Sequence, residues 1–306
     1  MRLSFSGLVL ACLVVLGPGC RSTPGSSAAA AWSYPPGVCP RFYAQYLPYP
    51  RRGLPTAQPL PATPGWTDPR MERDLARFTD AGLDGILLAL QPDSLADPFQ
   101  TERVQRFLTL AAARAPSGWE VVLMLIPPAD DAVAVDRNAL GRWLTAHGLL
   151  EHPNLRRRSG RIVVLLAPGV HAAGAPHPAV VAVACGAPGS EWRWPAPADP
   201  ERFAPTGPDR QVVVYGGFWT DITAPDGVTA PGWALERRQG RTLQDEIQRA
   251  FDAQAMTICI ASWNDYVAGT FVEPNSLDGM NPLRRLTAAL RTARRHAAAA
   301  ATPPTP

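Results

Sequence analysis

Residues 256–275 read MTICIASWNDYVAGTFVEPN, a stretch in which a strong strand signal ends in a polar and aromatic loop. The apolar run from Met256 to Ala261 has no alternating polar positions, which predicts a strand that is covered on both faces. Ser, Trp, Asn, Asp and Tyr follow at once, and then a Glu-Pro pair at Glu273 and Pro274. A buried strand that delivers an aromatic ring, an amide and a carboxylate at its carboxyl end is typical of a β/α barrel.

Strands of the same apolar kind recur along the chain and alternate with amphipathic segments. Strands are predicted over residues 42–47, 85–90, 121–126, 162–167, 180–184, 212–215 and 256–261. Helices are predicted over residues 68–78, 101–113, 138–147, 242–253 and 282–295, where apolar side chains recur at helical spacing. Apolar strands that are separated by helices of about 10–15 residues indicate βαβ units and a parallel sheet.

This alternation favours the α/β class and, within it, a (β/α)8 TIM-type barrel that is irregular in strands 5–7. Seven strands are visible, so the eighth is expected in one of two Pro-rich stretches, 186–211 or 216–240. A doubly wound open sheet is the alternative. It usually carries a Gly-rich phosphate loop after an early strand, and the sequence has none. The barrel is expected to occupy residues 38–296 as one domain.

The first 20 residues have the anatomy of a signal peptide. Arg2 is followed by an apolar run from Leu3 to Leu16, which is shorter than the roughly 20 residues that a membrane-spanning helix needs. The stretch from Leu16 to Cys20 resembles a bacterial lipoprotein cleavage site, which makes Cys20 a candidate for lipidation. An ordinary signal peptide with an incidental cysteine is the alternative. Either form predicts an exported protein, anchored to a membrane or free in the periplasm or outside the cell.

The remaining ends are expected to lie outside the barrel. Residues 21–37 are rich in Ser, Ala, Gly and Pro and predict a flexible tether. Residues 297–306 predict a disordered tail. Among the cysteines of the mature chain, one disulfide is possible, but the spacing does not select a pair.

The composition argues against several classes of partner. Charged residues make up 18% of the chain and the formal net charge is +3, whereas nucleic-acid-binding proteins present a concentrated basic face. The one basic run, Arg156 to Arg158, is more typical of a solvated turn. No Cys or His spacing suggests a metal site, and no cofactor motif is present. The sequence therefore predicts a protein without metal or cofactor, which we expect to be a monomer.

The carboxyl ends of barrel strands meet on one face, and this rule gathers side chains that lie far apart in the sequence. Aromatic rings, amides and carboxylates dominate the set. Sugars are held by rings that stack on their apolar faces and by polar groups that pair with their hydroxyls, so the set predicts a carbohydrate site. The predicted substrate-binding residues are Tyr43, Gln45, Tyr46, Gln91, Asp93, Glu191, Trp192, Tyr215, Trp219, Trp263, Asn264 and Tyr266.

Two carboxyl groups are candidates for catalysis. Glycoside hydrolysis needs one carboxyl to protonate the leaving oxygen and another to activate water or attack the sugar. Asp265 follows a buried strand, and burial beside Trp263 and Tyr266 would raise its pKa towards acid/base use. Glu273 is the second candidate. Asp265 could instead cap the following turn, and Glu273 could orient a loop by accepting backbone N–H groups.

The final segment resembles the glycoside hydrolase family 71 and 99 group, which includes endo-1,3-α-glucanases and endo-α-mannanases. The end motif of that group is typically Trp-Asn-Asp/Glu-Tyr/Trp-x-Glu-Gly followed by Glu-Pro. This chain has WNDYVAG at residues 263–269 and Glu273-Pro274 after it. FYAQYLPYP at residues 42–50 resembles the first strand of the group. Together with residues 238–266, the resemblance covers roughly residues 40–295.

The resemblance implies a β/α barrel that acts on an α-linked polysaccharide, such as an α-glucan or α-mannan, without a metal. The first acid of the motif falls on Asp265, which implies a base or water-activating role. The second acid, the proton donor, falls on Ala268, and a methyl group cannot donate a proton. Three alternatives stay open: a hydrolase in which Glu273, Glu191 or Asp93 supplies the proton, a carbohydrate-binding protein without catalysis, and a structural surface lipoprotein.

Overall fold

The structure is a computed structural model. It describes residues 34–35, 38–48, 57–61, 65–128, 132–186, 192–195, 197, 199, 201–205, 207, 210–223 and 227–301. Cys20 and Glu191 lie outside these residues, and so do the predicted signal peptide and most of the predicted tether.

Strands and helices alternate up to residue 146, as the sequence predicts, whereas the described residues from 157 to 235 form strands without an α-helix between them. The strands are β1 Arg41–Tyr46, β2 Gly85–Leu90, β3 Glu120–Leu125, β4 Val133–Asp136, β5 Arg157–Arg158, β6 Arg161–Leu166, β7 Val170–Ala173, β8 Val180–Ala184, β9 Gln211–Tyr215, β10 Phe218–Thr223, β11 Thr229–Leu235 and β12 Thr257–Ala261. The helices are α1 Asp68–Ala81, α2 Pro98–Arg114, α3 Arg137–Ala146, α4 Arg241–Asp252 and α5 Asn281–Ala301, with 3-10 turns at Pro92–Leu95 and Arg238–Gly240.

Seven strands form one parallel sheet in the order β8-β6-β3-β2-β1-β12-β9. β5 adds to the start of β6 as a short antiparallel hairpin. Two small sheets, β4 with β7 and β10 with β11, lie outside this ladder. The predicted α/β class and the parallel sheet are therefore confirmed.

The two Pro-rich stretches that could hold an eighth strand differ. In the described part of residues 216–240, β10 and β11 pair with each other and not with the main sheet. In the other stretch, Trp192 forms a parallel bridge with Cys185, next to the end of β8. The N–H of Arg193 also donates to Oε1 of Gln211 at the start of β9, over 3.0 Å. The two edge strands thus have contacts to one short segment, while a closed eight-stranded barrel stays a prediction.

Both faces of the parallel sheet are covered, which explains why its strands read as continuous apolar runs. On the inner face, side chains from the strands pack into one buried cluster that includes Leu87, Met124 and Val213. On the outer face lie α1, α2, α4 and α5. The Phe78 ring of α1, for example, lies 4.7 Å from the Trp263 ring, measured between centroids.

The ends of the domain differ from the sequence-based boundaries. α5 continues to Ala301, whereas the sequence predicts a helix that ends at residue 295. Alanine has the highest helix propensity, which favours extension through this alanine run, and Ala297 is buried. At the other end, Tyr34 falls within the predicted tether, yet it is buried and its hydroxyl donates to the carbonyl of Ala255.

Cys39, Cys185 and Cys259 are free thiols. Within the described residues, no helix combines the length and the apolar character that crossing a bilayer requires.

Candidate functional site

The loop after β12 folds back onto the strand end through backbone hydrogen bonds. The N–H of Trp263 donates to the carbonyl of Gln45 over 2.7 Å. The carbonyl of Trp263 accepts the N–H groups of Val272 and Glu273 over 2.8 and 2.9 Å. The loop is therefore anchored at both its beginning and its end, and the side chains between these points have fixed directions.

Asn264 joins the last strand to the first one. Its Nδ2 donates to the carbonyl of Leu47 over 2.7 Å, and its Oδ1 accepts the N–H of Leu47 over 2.9 Å. Because both ends of the amide are bound to backbone, Asn264 holds the ends of β1 and β12 together. The predicted role of Asn264 in substrate binding is not supported by this geometry.

Asp265 caps the turn that follows it. Its Oδ1 accepts the N–H of Ala268 over 3.1 Å, and its own N–H donates to Oγ of Ser262 over 2.7 Å. The residue is only 7% exposed. The capping role that the sequence left open is thus present in the structure, and it links the retained carboxylate directly to the residue that replaces the second acid.

Ala268 lies at the partly exposed corner of this turn. Its carbonyl accepts the N–H of Trp219, at the start of β10, over 2.7 Å. A methyl group therefore occupies the place where the family resemblance implies a proton donor, between the Asp265 carboxylate and the β10–β11 hairpin.

Glu273 is fully buried and belongs to the layer between the sheet and α1. Its Oε1 lies 3.4 Å from Nη2 of Arg70, and Arg70 also donates to the buried carboxylate of Asp74. Burial raises the pKa of Glu273 from 4.5 to about 7, and the nearby Asp74 adds to the rise while Arg70 opposes it. No part of the Glu273 side chain reaches solvent, so this geometry does not support a direct contact with substrate, and a catalytic Glu273 stays a prediction.

Tyr46 and Tyr266 border the same buried layer. Tyr46 is fully buried, and its hydroxyl donates to Oδ2 of Asp74 over 2.9 Å. The ring of Tyr266 stacks on Phe271 with centroids 4.4 Å apart, and burial next to Glu273 raises the pKa of its hydroxyl. Tyr46 points away from the inner face of the sheet because side chains alternate along β1, so its predicted contact with substrate is wrong.

Tyr43 and Trp192 lie on the inner face, but deep in the core. The Tyr43 hydroxyl donates to Oε2 of Glu120, at the amino end of β3, over 2.8 Å. The guanidinium of Arg156 sits 5.7 Å from the Tyr43 ring and 5.6 Å from the Trp192 ring. Both predicted substrate contacts are therefore wrong, and Arg156 is a packed residue while Arg157 and Arg158 are exposed.

Trp263 and Tyr215 are also buried. Trp263 has no exposed surface and packs against Phe78 on the α1 side of the sheet. Tyr215 is 4% exposed, and its hydroxyl donates to the carbonyl of Pro195. Because both rings are buried, this geometry does not support their predicted contact with substrate. A strand that is covered on both faces can direct the rings at its end to either side of the sheet.

Five of the predicted residues keep side chains that are at least partly exposed near the carboxyl ends of the strands: Gln45, Gln91, Asp93, Trp219 and Tyr266. Gln45 lies 3.8 Å from Sδ of Met124, measured from its Nε2, and Gln91 donates weakly to the carbonyl of Pro128 over 3.5 Å. Asp93 is exposed in the 3-10 turn after β2. These residues stay candidates for ligand contact.

Trp233 is a further candidate for ligand contact, which the sequence analysis does not identify. It lies opposite Trp219 in the β10–β11 hairpin, and the two indoles meet edge to face with centroids 5.0 Å apart. Both are partly exposed, and neither indole N–H donates to any described residue. A Cβ at Gly269 would approach both tryptophans within 3 Å, so glycine is required there for this packing. The Asp226-Gly227 pair, a turn signal between two strand-like runs, could have revealed the hairpin.

Among the described residues, no group of three or more His, Cys, Asp or Glu side chains is placed to hold a metal ion.

Comparisons with known proteins identify the fold. No protein-family model matches the sequence, and no curated protein matches it. Among solved structures, the GH99 endo-alpha-mannosidase from Bacteroides thetaiotaomicron, in complex with BIS-TRIS-Propane, matches with a TM-score of 0.56 and 13% identity, over 86% of this chain and 99% of that chain. Another structure of the GH99 endo-alpha-mannosidase from that organism matches with a TM-score of 0.56 and 12% identity, over 85% of this chain and 99% of that chain.

A protein described as glycoside hydrolase-like also matches, with a TM-score of 0.54 and 11% identity, over 83% of this chain and 94% of that chain. The chain therefore has a glycoside hydrolase fold of the family 71/99 type. The resemblance predicted from the end motif is confirmed at the level of the fold.

The buried Glu273 is expected to make stability depend on pH. The pKa of Glu273 is about 7 in the folded state, above the ordinary value of 4.5 that applies to the unfolded state. Between pH 4.5 and 7, the folded state therefore holds a proton that the unfolded state has lost. The contribution to stability is thus full below about pH 4.5 and is lost as the pH rises to about 7. For wild type, this decreases the free energy of unfolding by on the order of 3 kcal/mol as the pH rises. We expect Glu273→Gln, which keeps the shape of the side chain without its charge, to abolish this decrease. Urea unfolding at pH 5 and pH 8 measures the free energy of unfolding of both proteins. The same change between the two pH values in wild type and variant would contradict this expectation.

Proposed function

We propose that this chain is a glycoside hydrolase-like protein that binds an α-linked glycan at the carboxyl end of its sheet without hydrolysing it at an enzymatic rate. The observation that carries the proposal is the turn from Asp265 to Ala268. One carboxylate of the expected pair is present there and is engaged in capping, and a methyl group stands in place of the other.

Among the described residues, Glu273 and Asp93 are poorly placed to serve as the second carboxyl group beside Asp265. Glycosidases of either stereochemical type hold their two carboxyl groups about 5–9.5 Å apart across the bond that is cleaved. Glu273 is fully buried against α1, where it pairs with Arg70. A general acid is normally kept in partly buried, apolar surroundings, whereas Asp93 is exposed. These positions favour binding over catalysis.

The Trp219–Trp233 pair supports the binding part of the proposal. The pair is partly exposed. The backbone N–H of Trp219 donates to the carbonyl of Ala268 and so joins the pair to the turn. An indole offers an apolar face for a sugar ring and an N–H donor for a hydroxyl, and such amphipathic rings are suited to this kind of ligand. We infer that these two rings form the main glycan platform, next to the Asp265 turn.

We also infer that the sheet closes into a barrel, with the segment 192–195 in the sixth position. A buried cluster that includes side chains from β1, β6 and β9 supports closure. The contacts of this segment with Cys185 and Gln211 at the two edges support it as well. Closure places the glycan platform at the carboxyl end of a barrel, where binding sites of this architecture lie.

The proposal includes export and lipidation at Cys20, on the strength of the sequence of residues 1–20. Expressed in a bacterium, the wild-type chain is expected to partition into a detergent phase with a cleaved, acylated Cys20, which mass spectrometry of the N-terminal peptide detects. Cys20→Ala is expected to stay uncleaved and unacylated. An unmodified Cys20 in the wild type would contradict lipidation without affecting glycan binding.

Replacing Ala268 tests the loss of the acid. We expect wild type to release no reducing sugar from α-mannan or α-glucan, and Ala268→Glu to release it at least about 100-fold faster than Ala268→Gln, since general acids contribute about 10²–10⁴-fold. Ala268→Gln is the matched control, because it has the same size without an acidic proton. Hydrolysis by wild type that disappears in Asp265→Asn would contradict the proposal.

The tryptophans test the platform. Trp219→Ala and Trp233→Ala are each expected to weaken binding of an α-linked oligosaccharide by about five- to tenfold, on the order of 1 kcal/mol, with little effect on unfolding. Trp263→Ala, the buried control, is expected to lower the free energy of unfolding by about 3–5 kcal/mol. Calorimetric titration and urea unfolding separate the two effects. Unchanged affinity in both surface variants would rule out the platform.

A further inference from the structure

A groove of about 400 Å³ runs between α1 and α5, on the outer side of the sheet. Its floor contains Ala81, Leu283 and Ala288. Arg77, Arg284 and Arg291 line it together with a single acid, Asp80. The groove thus combines an apolar base with three guanidinium groups and one carboxylate, which leaves an excess of positive charge.

The arginines of this groove have few partners within the described residues. The side chains of Arg284 and Arg291 make no hydrogen bond or ion pair with any described residue. Arg77 uses Nη2 to donate to the carbonyl of Leu60 over 2.8 Å, while its Nη1 is buried without a hydrogen-bond partner. All three guanidinium groups therefore keep donor capacity that the described residues do not use.

Charged groups of both signs surround Arg77. Burial and the neighbouring Arg73 lower the pKa of the Arg77 guanidinium. The buried carboxylates of Asp74 and Glu273, which oppose this, are each ion-paired with Arg70. These two carboxylates are therefore already paired with another arginine, and Asp80 is the acid in the lining of the groove itself.

We propose that the groove between α1 and α5 binds the phosphate or carboxylate group of a small ligand, such as a sugar phosphate or a sugar acid. Guanidinium groups bind both kinds of oxyanion through parallel N–H donors. The apolar floor suits the less polar face of a sugar ring, and the volume is within the roughly 300–1,000 Å³ of small-molecule sites. The site is separate from the Asp265 turn and does not depend on the glycan-binding proposal.

Calorimetric titration of the full chain with inorganic phosphate, glucuronate and glucose at low ionic strength tests the site. We expect at least one of the two anions to bind with one-to-one stoichiometry, and glucose to show no binding that depends on these arginines. Tighter binding of phosphate identifies a phosphorylated ligand, and tighter binding of glucuronate identifies a sugar acid. Absence of one-to-one binding for both anions would overturn the proposal.

Charge-matched variants separate the groove from general attraction to a basic protein. Arg284→Gln with Arg291→Gln is expected to weaken anion binding at least about tenfold, because two charge-assisted donors are lost. Arg142→Gln with Arg241→Gln, at exposed positions on α3 and α4, changes the net charge equally and is expected to keep the wild-type affinity. Equal weakening in both double variants would overturn the proposal. Thermal unfolding checks the fold, and Arg291→Gln alone serves as the milder variant.

Discussion

The junction between β12 and β1 is the constraint on which the candidate site depends. Asn264 binds both backbone groups of Leu47, and the carbonyl of Trp263 receives two N–H groups from the returning loop. These bonds fix the path of residues 262–275. They direct Trp263 and Glu273 towards α1 and leave Asp265 and Ala268 at the corner of the loop.

Much of the fold could be predicted from the sequence, because continuous apolar runs such as GILLAL have few alternatives to a strand covered on both faces. The same property explains the errors at the site. A strand that is apolar on both faces gives no signal for which side chains point inward. Tyr46 and Trp263 were therefore assigned to the site, although they pack under α1, and Tyr43 was assigned to the wrong end of the sheet.

The sequence identifies the polar residues at the end of β12 as candidates for a functional site. Residue type alone does not distinguish a side chain that binds backbone from one that contacts a ligand. Asn264 and Asp265 bind backbone groups, and Glu273 pairs with Arg70, a contact that is 203 residues apart in the sequence. No local pattern reports such a distant partner. Trp233 was missed for a related reason, since its importance comes from Trp219 across the hairpin and from the space left by Gly269.

We propose that the turn from Asp265 to Ala268 supports glycan binding beside a site that has lost its proton donor. A crystal structure of the full chain soaked with an α-linked manno-oligosaccharide tests this most directly. The account predicts an intact oligosaccharide stacked on Trp219 and Trp233, with a sugar ring beside the Ala268 methyl group. Cleaved sugar in the site, or an oligosaccharide bound only elsewhere on the protein, would contradict it.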